Sequence, residues 1–430
     1  MHRLGSTAMT PKHRASTAAV VFRPRHSSKR LRHTLLHTFV VAMAATTGFS
    51  LVYLQTTVQQ IEGAFTVRDI SSLVAPPPPP PPADPDDPLA GMDVNILIMG
   101  SDARDGENAS LGGLANLGGM RADATMIMHI SADRNRVELL AIPRDMRVKI
   151  PDCYTFEGER IRGWTTKFNV AFANGGRYGD IAEAAACAVN TATQFTGIEF
   201  DHFLVMDFAG FRHMVDAIGG VPMCIPQDVY SRKAKLDLKA GPQVLDGITA
   251  LAWARARTGS GLGDGSDLHR IKRQQVLLEA MMRKTIAMNL LTDTGALTGF
   301  MREVANSLTL DEQLGDVGYL GGLAFSLRNL DTNNIYFATV PWKSAADGTG
   351  DILPTPAAQT MFDKLVRDLP LDPDYVPPSA PDPAPSPSPT QAPKPVKTRP
   401  GDPLPEPEPE PSAPVDRSDE VQEDIFSACT

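Results

Sequence analysis

Arginine and aspartate side chains stand at the ends of three short apolar runs, VNILIMG, ATMIMHI and VELLAIP. A later segment, WARARTGSGLGDGSDLHRIKRQQ, repeats the pattern with more arginines than carboxylates. Arginine holds phosphate through a planar, two-pronged set of donors, and grouped arginines repel one another unless an anion lies among them. The pattern predicts an anion site built from Ser101, Asp102, Arg104, Arg121, Asp123, Arg144, Asp145, Arg255, Arg257, Asp267, Arg270, Arg273 and Gln274.

Two of these carboxylates, Asp102 and Asp123, are typical of a metal site. Magnesium commonly takes one or two protein carboxylates and completes its coordination with water and phosphate oxygens. Arg270 and Arg273 share one face of a helix, and Gln274 lies one turn beyond Arg270. The set therefore predicts a pyrophosphate site that uses Mg²⁺, with Mn²⁺ as the alternative ion.

Several members of the set also have a structural explanation. The two carboxylates would equally cap turns and helix starts. The charged pairs at 144–145 and 255–257 would equally form ordinary ion pairs on the surface. Two further candidates for the site, Lys167 and Asn169 in TKFNVAFANGG, would equally belong to an ordinary loop.

Several common chemistries are excluded by the motifs. The sequence has no cysteine or histidine pairs at zinc-finger spacing, no glycine-rich phosphate loop of the P-loop kind and no GxSxG nucleophile elbow. The basic block without acids lies at the N-terminus, beside an apolar segment, and the central part of the chain is acidic. We therefore expect no nucleic-acid partner.

The elements that must position these residues alternate between strand and helix patterns. The three apolar runs have the length and composition of buried strands, and DHFLVMDF and NIYFATVPW resemble them. Helix patterns occur in DIAEAAACAVNTATQFTGI, AGFRHMVDAIGG, DGITALAWARAR and DLHRIKRQQVLLEAMMRKTIAMNLL. This order predicts an α/β (α+β) domain with a central sheet covered by helices, and charged groups at strand ends are good site candidates in such a sheet.

The N-terminal part predicts a membrane anchor. Residues 1–33 carry eight Lys or Arg and no acid, and residues 34–55 contain the apolar run TLLHTFVVAMAATTGFSLVYL. Roughly 20 apolar residues cross a bilayer core, and basic residues remain on the cytoplasmic side. We expect a single-pass protein of the cell membrane with its N-terminus in the cytoplasm and the rest outside; a cleaved signal peptide is the alternative.

Three further segments follow from composition. Residues 56–91, with seven consecutive prolines, predict a stiff extracytoplasmic stalk. Residues 92–370 have the apolar content of one globular domain. Residues 371–430, rich in proline and acids, predict a disordered tail. The N-terminal and C-terminal blocks nearly cancel in charge, so the formal net charge of −9 belongs mainly to the middle of the chain.

Four cysteines would lie in an oxidising space if this topology is right. Cys187 falls in an apolar helix pattern and Cys224 at the end of a short strand pattern, whereas Cys429 falls in the predicted tail. These positions favour a Cys187–Cys224 disulfide; a buried free thiol is the alternative.

The order of motifs resembles the LytR-CpsA-Psr family, in a form similar to its actinobacterial members. The motifs are NILIMGSDAR, RADATMIMHI, LLAIPRDMRVKIP, KFNVAFANGG, HFLVMDFAGFRHMVDAIGGV, GPQVLDGITALAWARAR and GDGSDLHRIKRQQ. The resemblance implies a mixed sheet with an apolar lipid tunnel. It also implies transfer of a phospho-linked glycan from a polyprenyl-pyrophosphate carrier at the membrane bilayer to peptidoglycan.

The resemblance also implies a role for each site residue. Asp102 and Asp123 resemble the magnesium ligands, and Asp267 resembles a carboxylate that acts as a base or orients arginines. The pyrophosphate grip is implied at Arg104, Arg121, Arg144, Arg255, Arg257, Arg270 and Arg273. Two other functions stay open at this point: a polyprenyl-pyrophosphate pyrophosphatase, and a protein that binds lipid-linked glycan without catalysis.

Overall fold

The chain divides into two compact units, Met1–Thr57 and Val58–Thr430. The computed structural model describes residues 62–63, 65–75, 91–102, 120–263, 267–288 and 308–377, and the single positions 55, 56, 58, 59, 108 and 429. Of the first unit it describes Gln55 and Thr56, which are helical. The predicted anchor at 34–55 otherwise lies outside the described residues. In the described part of the chain, no helix combines the length and the apolar character needed to cross a membrane.

Seven strands of the described residues form one central sheet in the second unit. Its long inner strands are rich in isoleucine, leucine, valine and methionine and are largely buried, as expected for strands covered on both faces. In chain order they are Thr66–Val67 (β1), Val94–Ser101 (β2), Ala122–Ile130 (β3), Val137–Ile142 (β4), His202–Met206 (β5), Leu308–Leu310 (β6) and Ile335–Thr339 (β7).

The sheet is mixed, with the spatial order β1-β6-β5-β2-β3-β4-β7. β2 pairs in parallel with β5 and antiparallel with β3, and β4 pairs antiparallel with β3 and in parallel with β7. The register of β2 against β3 shifts between Gly100 and Ser101, because Ser101 faces Ala122 whereas Gly100 faces Ala124. Asp123 is therefore the extra residue of a β-bulge at the end of the sheet.

Helices cover both faces of the sheet, which confirms the predicted mixed α/β class. The helices of the described residues begin and end as follows: Asn169–Gly175 (α1), Ile181–Thr196 (α2), Phe208–Ala217 (α3), Gly247–Arg255 (α4), Asp267–Ala287 (α5), Val317–Ser326 (α6) and Pro356–Val366 (α7). Aspartate begins several of them: Asp180, Asp207 and Asp246 each accept a hydrogen bond from a backbone N–H of the first turn.

Alternation along the strands separates two apolar layers. Leu97 and Met99 of β2 point into a layer that contains α2 and α7. Ile96 and Ile98 point into the opposite layer, with α5 and α6. A third cluster packs α3 and α4 against the middle of α5 and a small sheet. The sheet therefore has an α2 face and an α5 face, and the site described below lies on the α5 face.

Short hairpins extend from the main sheet. One hairpin, residues 147–167, is built from two consecutive strand pairs, Arg147–Lys149 with Thr165–Lys167 and Cys153–Tyr154 with Arg160–Ile161. The other two-stranded pairs are Val221–Ile225 with Gly241–Leu245, Val229–Ser231 with Leu236–Leu238, and Trp342–Ser344 with Ile352–Pro354. Short 3-10 helices occur at Gly176–Tyr178 and Thr332–Asn334.

The packed structure extends beyond both predicted ends of the domain. Phe65 and Ile70, in the predicted stalk, are buried, and β1 between them pairs with β6. Leu371, in the predicted tail, is also buried, and its backbone N–H donates to Glu138 Oε1 at 2.5 Å. Each of these two packed segments has only a few apolar residues and lies beside proline-rich sequence. That number is too small to produce a strand or helix pattern.

The predicted Cys187–Cys224 disulfide is wrong. Cys187 pairs with Cys153, which joins α2 to the 147–167 hairpin, and Cys224 pairs with Cys429 from the predicted tail. The Cys153–Cys187 bond has a Cα–Cα distance of 5.4 Å. Pairing depends on which elements the fold brings within this range, and sequence spacing does not determine that distance.

Candidate active site

A cavity of about 400 Å³ opens between the α5 face of the sheet and helices α3, α4 and α5. This volume is within the range of pockets that bind small organic ligands, roughly 300 to 1,000 Å³. Most of its wall is apolar and comes from strands on one side and helices on the other: Ile98, Met126, Met206, Phe208, Phe211, Leu251, Leu277, Leu278 and Met281.

Charged groups are collected at the strand-end side of the cavity. They come from the bulge of β3, the residue after β5, the end of α4 and the first turns of α5. The polar side chains of the lining are Ser101, Asp123, Asp207, Arg255, Arg257, Arg270 and Gln274. Three arginines against two carboxylates leave this lining net positive, so the cavity combines an apolar interior with a region suited to an anion.

Asp123 links three elements at this charged end. Its Oδ1 accepts a hydrogen bond from Arg144 Nη1 at 3.0 Å, and Arg257 Nη2 lies 3.8 Å from its Oδ2. The bulge makes this position possible, because the extra residue of a bulge changes the direction of its side chain. Asp123 thus holds an arginine from the end of β4 and an arginine beyond the end of α4 around one carboxylate.

Asp102 and Arg121 face each other where β2 and β3 end. The Asp102 N–H donates to the Arg121 carbonyl at 2.9 Å, and Asp102 Oδ1 accepts from the Arg121 N–H at 2.7 Å. Asp102 therefore performs the capping function considered above and also lies next to the bulge at Asp123. The Arg121 side chain is exposed and is not part of the cavity lining.

Arg144, Asp145 and Lys167 form a chain of ion pairs that leads away from Asp123. Arg144 Nε lies 3.4 Å from Asp145 Oδ2, and Lys167 Nζ donates to Asp145 Oδ1 at 2.7 Å. Burial disfavours the charged form of Asp145, but the hydrogen bond from Lys167 and the charge of Arg144 outweigh it and lower its pKa below the ordinary value. Asp145 therefore stays ionised and fixes the two cations beside it.

Asn169 acts on this chain through the backbone. It is buried at the start of α1, and its backbone N–H donates to the Arg144 carbonyl at 3.2 Å. The structure brings Lys167 and Asn169 next to the site, but neither of them lines the cavity.

Arg255 and Arg257 lie on either side of the end of α4, and both point to the cavity. The helix stops at Arg255, and Ala256 has an extended conformation (φ −59°, ψ 126°). Both arginines consequently line the cavity. The Arg255 guanidinium carbon lies 4.2 Å from the centre of the Phe208 ring, a cation–π contact that supports the arginine at the cavity wall.

Helix α5 contains four predicted site residues, and two of them, Arg270 and Gln274, line the cavity. Arg270 is 3% exposed and lines the cavity, and Gln274 lines it while its side-chain amide donates to the Ala254 carbonyl at 3.0 Å. Arg273 is not a lining residue. Its guanidinium donates to the carbonyls of Leu262, at 2.9 Å, and Ala256, and it lies over the Trp253 ring, so it holds the segment between α4 and α5 in place.

Two predicted site residues are not characterised by the structure. Arg104 lies outside the described residues. Asp267 begins α5, but its side chain is outside the description.

Asp207 is a cavity residue that the sequence reasoning missed. It follows β5, the parallel neighbour of β2, and the register of the pair places it beside Ser101, the last residue of β2. The strand-end rule applied to the first three strands would have found it if extended to DHFLVMDF. Its carboxylate accepts from Gly210 N–H and from the Asn108 side-chain amide, both at 2.7 Å.

The residues present fit a magnesium ion of the two-carboxylate type. Among the described residues no group of three or more histidine, cysteine or acidic side chains could hold a metal. Asp102 and Asp123 nevertheless lie at the adjacent ends of β2 and β3, and carboxylate oxygens are ligands that magnesium prefers. Magnesium needs no more than this from the protein when a phosphate ligand supplies further oxygens.

The fold and site together define a protein with a mixed α/β sheet and a cavity that has an apolar interior and an arginine-rich end. The LytR_cpsA_psr family model matches residues 80–366. The chain belongs to the LytR_cpsA_psr family.

Two relatives illustrate the similarity. The chain is 31% identical over 280 residues to "Probable cell wall biosynthesis protein LcpB" of Corynebacterium glutamicum, covering 63% of this chain and 60% of LcpB. It is 27% identical over 271 residues to the polyisoprenyl-teichoic acid–peptidoglycan teichoic acid transferase TagU of Halalkalibacterium halodurans, covering 60% of this chain and 77% of TagU. The first relative fits the predicted actinobacterial type.

A solved structure has the same kind of fold. Protein gbs0355 from Streptococcus agalactiae superposes with a TM-score of 0.50 at 19% identity, covering 64% of this chain and 87% of that protein. At this identity the likeness concerns the fold.

Proposed function

We propose that this protein transfers a phospho-linked glycan from a polyprenyl-pyrophosphate carrier to peptidoglycan. One observation carries the proposal: a single cavity of about 400 Å³ has an apolar interior and an arginine-rich end. A polyprenyl pyrophosphate has the same division, an apolar tail and a doubly charged head. The name of the relative TagU, a transferase of polyisoprenyl-linked teichoic acid to peptidoglycan, supports this assignment.

The proposed binding mode follows from the positions of the side chains. The polyprenyl tail lies among apolar residues such as Met206, Leu278 and Met281, where burial of CH₂ groups contributes about 0.8 kcal/mol each. The pyrophosphate lies at Arg255 and Arg257, whose planar guanidinium groups each offer paired donors to phosphate oxygens. The glycan then extends away from the cavity.

The reaction is a phosphoryl transfer. A sugar hydroxyl of peptidoglycan attacks the glycan-side phosphorus, a new P–O bond forms, and the bond to the bridging oxygen breaks to release polyprenyl phosphate. Such transition states are loose and carry their charge on phosphate oxygens, so positioned cations provide most of the rate enhancement. The arginines at the cavity end stabilise this charge, and the hydroxyl proton passes to a carboxylate of the site.

Asp102 and Asp123 are the residues that would hold Mg²⁺, or Mn²⁺ in its place. When bound, the ion neutralises charge on the pyrophosphate oxygens. Arg144 and Arg257, which both approach Asp123, keep the carboxylate oriented towards the cavity end.

We further propose that the protein works outside the cytoplasm, attached to the cell membrane by residues 34–55. The apolar run at this position and the basic residues before it support that topology. It would bring the cavity to the side of the membrane where peptidoglycan is found.

The test is turnover by the full chain in detergent with a synthetic polyprenyl-pyrophosphate glycan, peptidoglycan fragments and Mg²⁺. We expect glycan to become attached to the fragments through a phosphodiester, and chelation of the metal to stop the reaction. Arg257→Ala should slow attachment by roughly 10²- to 10³-fold. Arg328→Ala, a change at an exposed arginine on the turn after α6, is the matched control and should leave it unchanged.

The same assay separates the other two functions. Release of polyprenyl phosphate and phosphorylated glycan without attachment would identify a pyrophosphatase. Binding of the donor without either product would identify a protein that only tethers lipid-linked glycan.

A further inference from the structure

The 147–167 hairpin carries exposed aromatic side chains. Tyr154, Phe156 and Trp164 are 48%, 46% and 45% exposed, and Tyr178, from the turn after α1, is 58% exposed. We call these four residues the hairpin aromatics. Large apolar groups exposed together on one element commonly mark a binding surface, whereas single exposed ones need no explanation.

Three of the four residues belong to the hairpin itself, and the fourth contacts it. Tyr154 faces Arg160 across the hairpin, and the Trp164 carbonyl accepts from the Ile150 N–H at 3.0 Å, which continues the pairing between the two short strand pairs. The Tyr178 hydroxyl donates to Glu159 Oε1 at 2.5 Å, so Tyr178 rests against the tip of the same hairpin.

The hairpin that presents them is rigidly held. Its inner residues Val148, Ile150 and Ile161 are buried in the layer that contains α2. The Cys153–Cys187 disulfide and the hydrogen bond from Phe156 N–H to Glu183 Oε1, 2.8 Å, fix it to α2 at two further points. A rigid surface loses little conformational entropy on binding, which favours recognition of an extended ligand.

The base of the hairpin is connected to the candidate active site by a chain of contacts. At the base of the hairpin Arg147 pairs with Lys167, and Lys167 contacts Asp145 at 2.7 Å. Asp145 in turn lies beside Arg144, the arginine that contacts Asp123. The hairpin therefore extends outwards from the charged end of the cavity.

Its position relative to the cavity indicates which substrate it serves. The cavity lies on the α5 face of the sheet, whereas the hairpin packs with α2 on the opposite face. In phosphoryl transfer the attacking and leaving oxygens lie roughly in line on opposite sides of phosphorus. If the lipid phosphate leaves on the cavity side, the attacking hydroxyl approaches from the side of the hairpin.

We propose that the hairpin aromatics bind the glycan strand of the acceptor peptidoglycan. Sugar rings present C–H faces that pack on aromatic rings, and tyrosine and tryptophan add polar groups for sugar hydroxyls. Of the exposed cations on the same hairpin, Arg160 pairs with Asp152, whereas Lys149 and Arg162 suit the carboxylates of peptidoglycan. The identity of this ligand rests on the proposed function, since that function supplies the acceptor.

The test is cosedimentation of the full chain, in detergent, with insoluble peptidoglycan stripped of attached polymers. We compare the native chain with Trp164→Ala, Tyr154→Ala and the double variant. The control is Tyr230→Ala, a residue 54% exposed in the separate Val229–Ser231 hairpin. We expect the double variant to bind about tenfold more weakly, as expected for the loss of two aromatic contacts, and the control to bind like the native chain.

A second measurement separates the two substrates. Affinity for the polyprenyl-pyrophosphate donor should be unchanged in the hairpin variants; a parallel loss would assign the surface to the donor and overturn the proposal. Native-like sedimentation of the double variant, or no sedimentation of the native chain, would overturn it as well. If sedimentation depended on the hairpin aromatics but the chain performed no transfer, the assignment of this surface to peptidoglycan would stand and the proposed function would be refuted.

Discussion

Arg144 Nη1 lies 3.0 Å from Asp123 Oδ1, and this contact joins the end of β4 to the bulge of β3. The other oxygen of the same carboxylate faces Arg257 at 3.8 Å. One aspartate thus orients two arginines that come from distant parts of the sequence. Arginines fixed before the substrate arrives stabilise developing charge without a reorganisation cost at the moment of reaction.

The two arginines Arg257 and Arg273 should respond differently to removal. Arg257→Ala should lower kcat/KM for transfer by roughly 10²- to 10³-fold, the usual effect of removing one donor to a transition-state oxyanion, with little change in Tm. Arg273→Ala should mainly lower Tm, because Arg273 hydrogen-bonds Leu262 and Ala256 and lies over Trp253. Transfer kinetics and thermal unfolding of both variants provide the measurement. If both variants lost activity equally and kept the native Tm, Arg273 would not have the structural role assigned to it.

Phe208 should act as a positioning residue for Arg255. Removing the ring in Phe208→Leu should weaken donor use, because the Arg255 guanidinium rests 4.2 Å from the ring centre. A partly desolvated cation–π contact contributes about 1 to 2 kcal/mol, which corresponds to a loss of roughly 5- to 30-fold in kcat/KM.

The conservative variant Phe208→Tyr is the control, since it keeps an aromatic face beneath the arginine. We expect it to restore most of the activity and to leave the KM for peptidoglycan fragments unchanged. If Phe208→Leu and Phe208→Tyr lost activity equally, the ring face would have no role in positioning Arg255.

Strand and helix types were predictable because the signals are local. VNILIMG, ATMIMHI and VELLAIP became β2, β3 and β4, and the charged residues next to them gather at one end of the sheet. The stop of α4 at Arg255 also agrees with the glycine-rich sequence that follows it. Apolar periodicity and turn residues are enough to determine features of this kind.

Features that depend on long-range packing were missed. The bulge at Asp123 exists only in the pairing of two strands, and the cysteine partners depend on distances across the fold. Arg273 shares a helix pattern with Arg270, yet it turns towards the segment before α5 because carbonyl groups there accept its hydrogen bonds. Sequence spacing identified the face of the helix but did not distinguish a ligand-facing arginine from a structural one.

The Cys153–Cys187 disulfide should contribute substantially to stability. It closes a loop with a sequence separation of 34, for which loop-closure entropy predicts about 3 to 4 kcal/mol. The variant Cys153→Ser/Cys187→Ser should therefore unfold at a clearly lower denaturant concentration than the native chain. Equilibrium urea unfolding of the full chain in detergent, without reductant, measures the difference. An unchanged midpoint would show that the loop between these residues is equally restricted without the bond.

Asp368 should give part of the stability a dependence on pH. Burial opposes ionisation of its carboxyl, but the hydrogen bonds with His129 Nε2 at 3.0 Å and Ala132 N–H at 3.1 Å, with the charge of Arg136, lower its pKa. Because the carboxyl pKa is lower in the folded protein, the ionised group stabilises the fold at pH values above its ordinary pKa of about 4. This contribution is lost as pH falls through the lowered pKa.

Asp368→Asn removes this charge and keeps a residue that tolerates the left-handed backbone conformation found there, φ 50°. The variant should lose about 1 to 3 kcal/mol of unfolding free energy at pH 7. The gap to the native protein should narrow as pH falls below the ordinary carboxyl pKa of about 4. Urea unfolding at several pH values provides the measurement, and a gap that stayed constant over this fall in pH would exclude the carboxylate charge as its cause.

The central claim is that the cavity on the α5 face holds the lipid of the donor. The most direct measurement is photolabelling of the full chain with a polyprenyl-pyrophosphate glycan that carries a photoreactive group in its tail, followed by peptide mapping. We expect labels on cavity residues such as Met206, Leu278 and Met281, reduced by unlabelled donor and by Arg257→Ala. Labels confined to residues outside the cavity, or labels there that excess donor does not reduce, would contradict the claim.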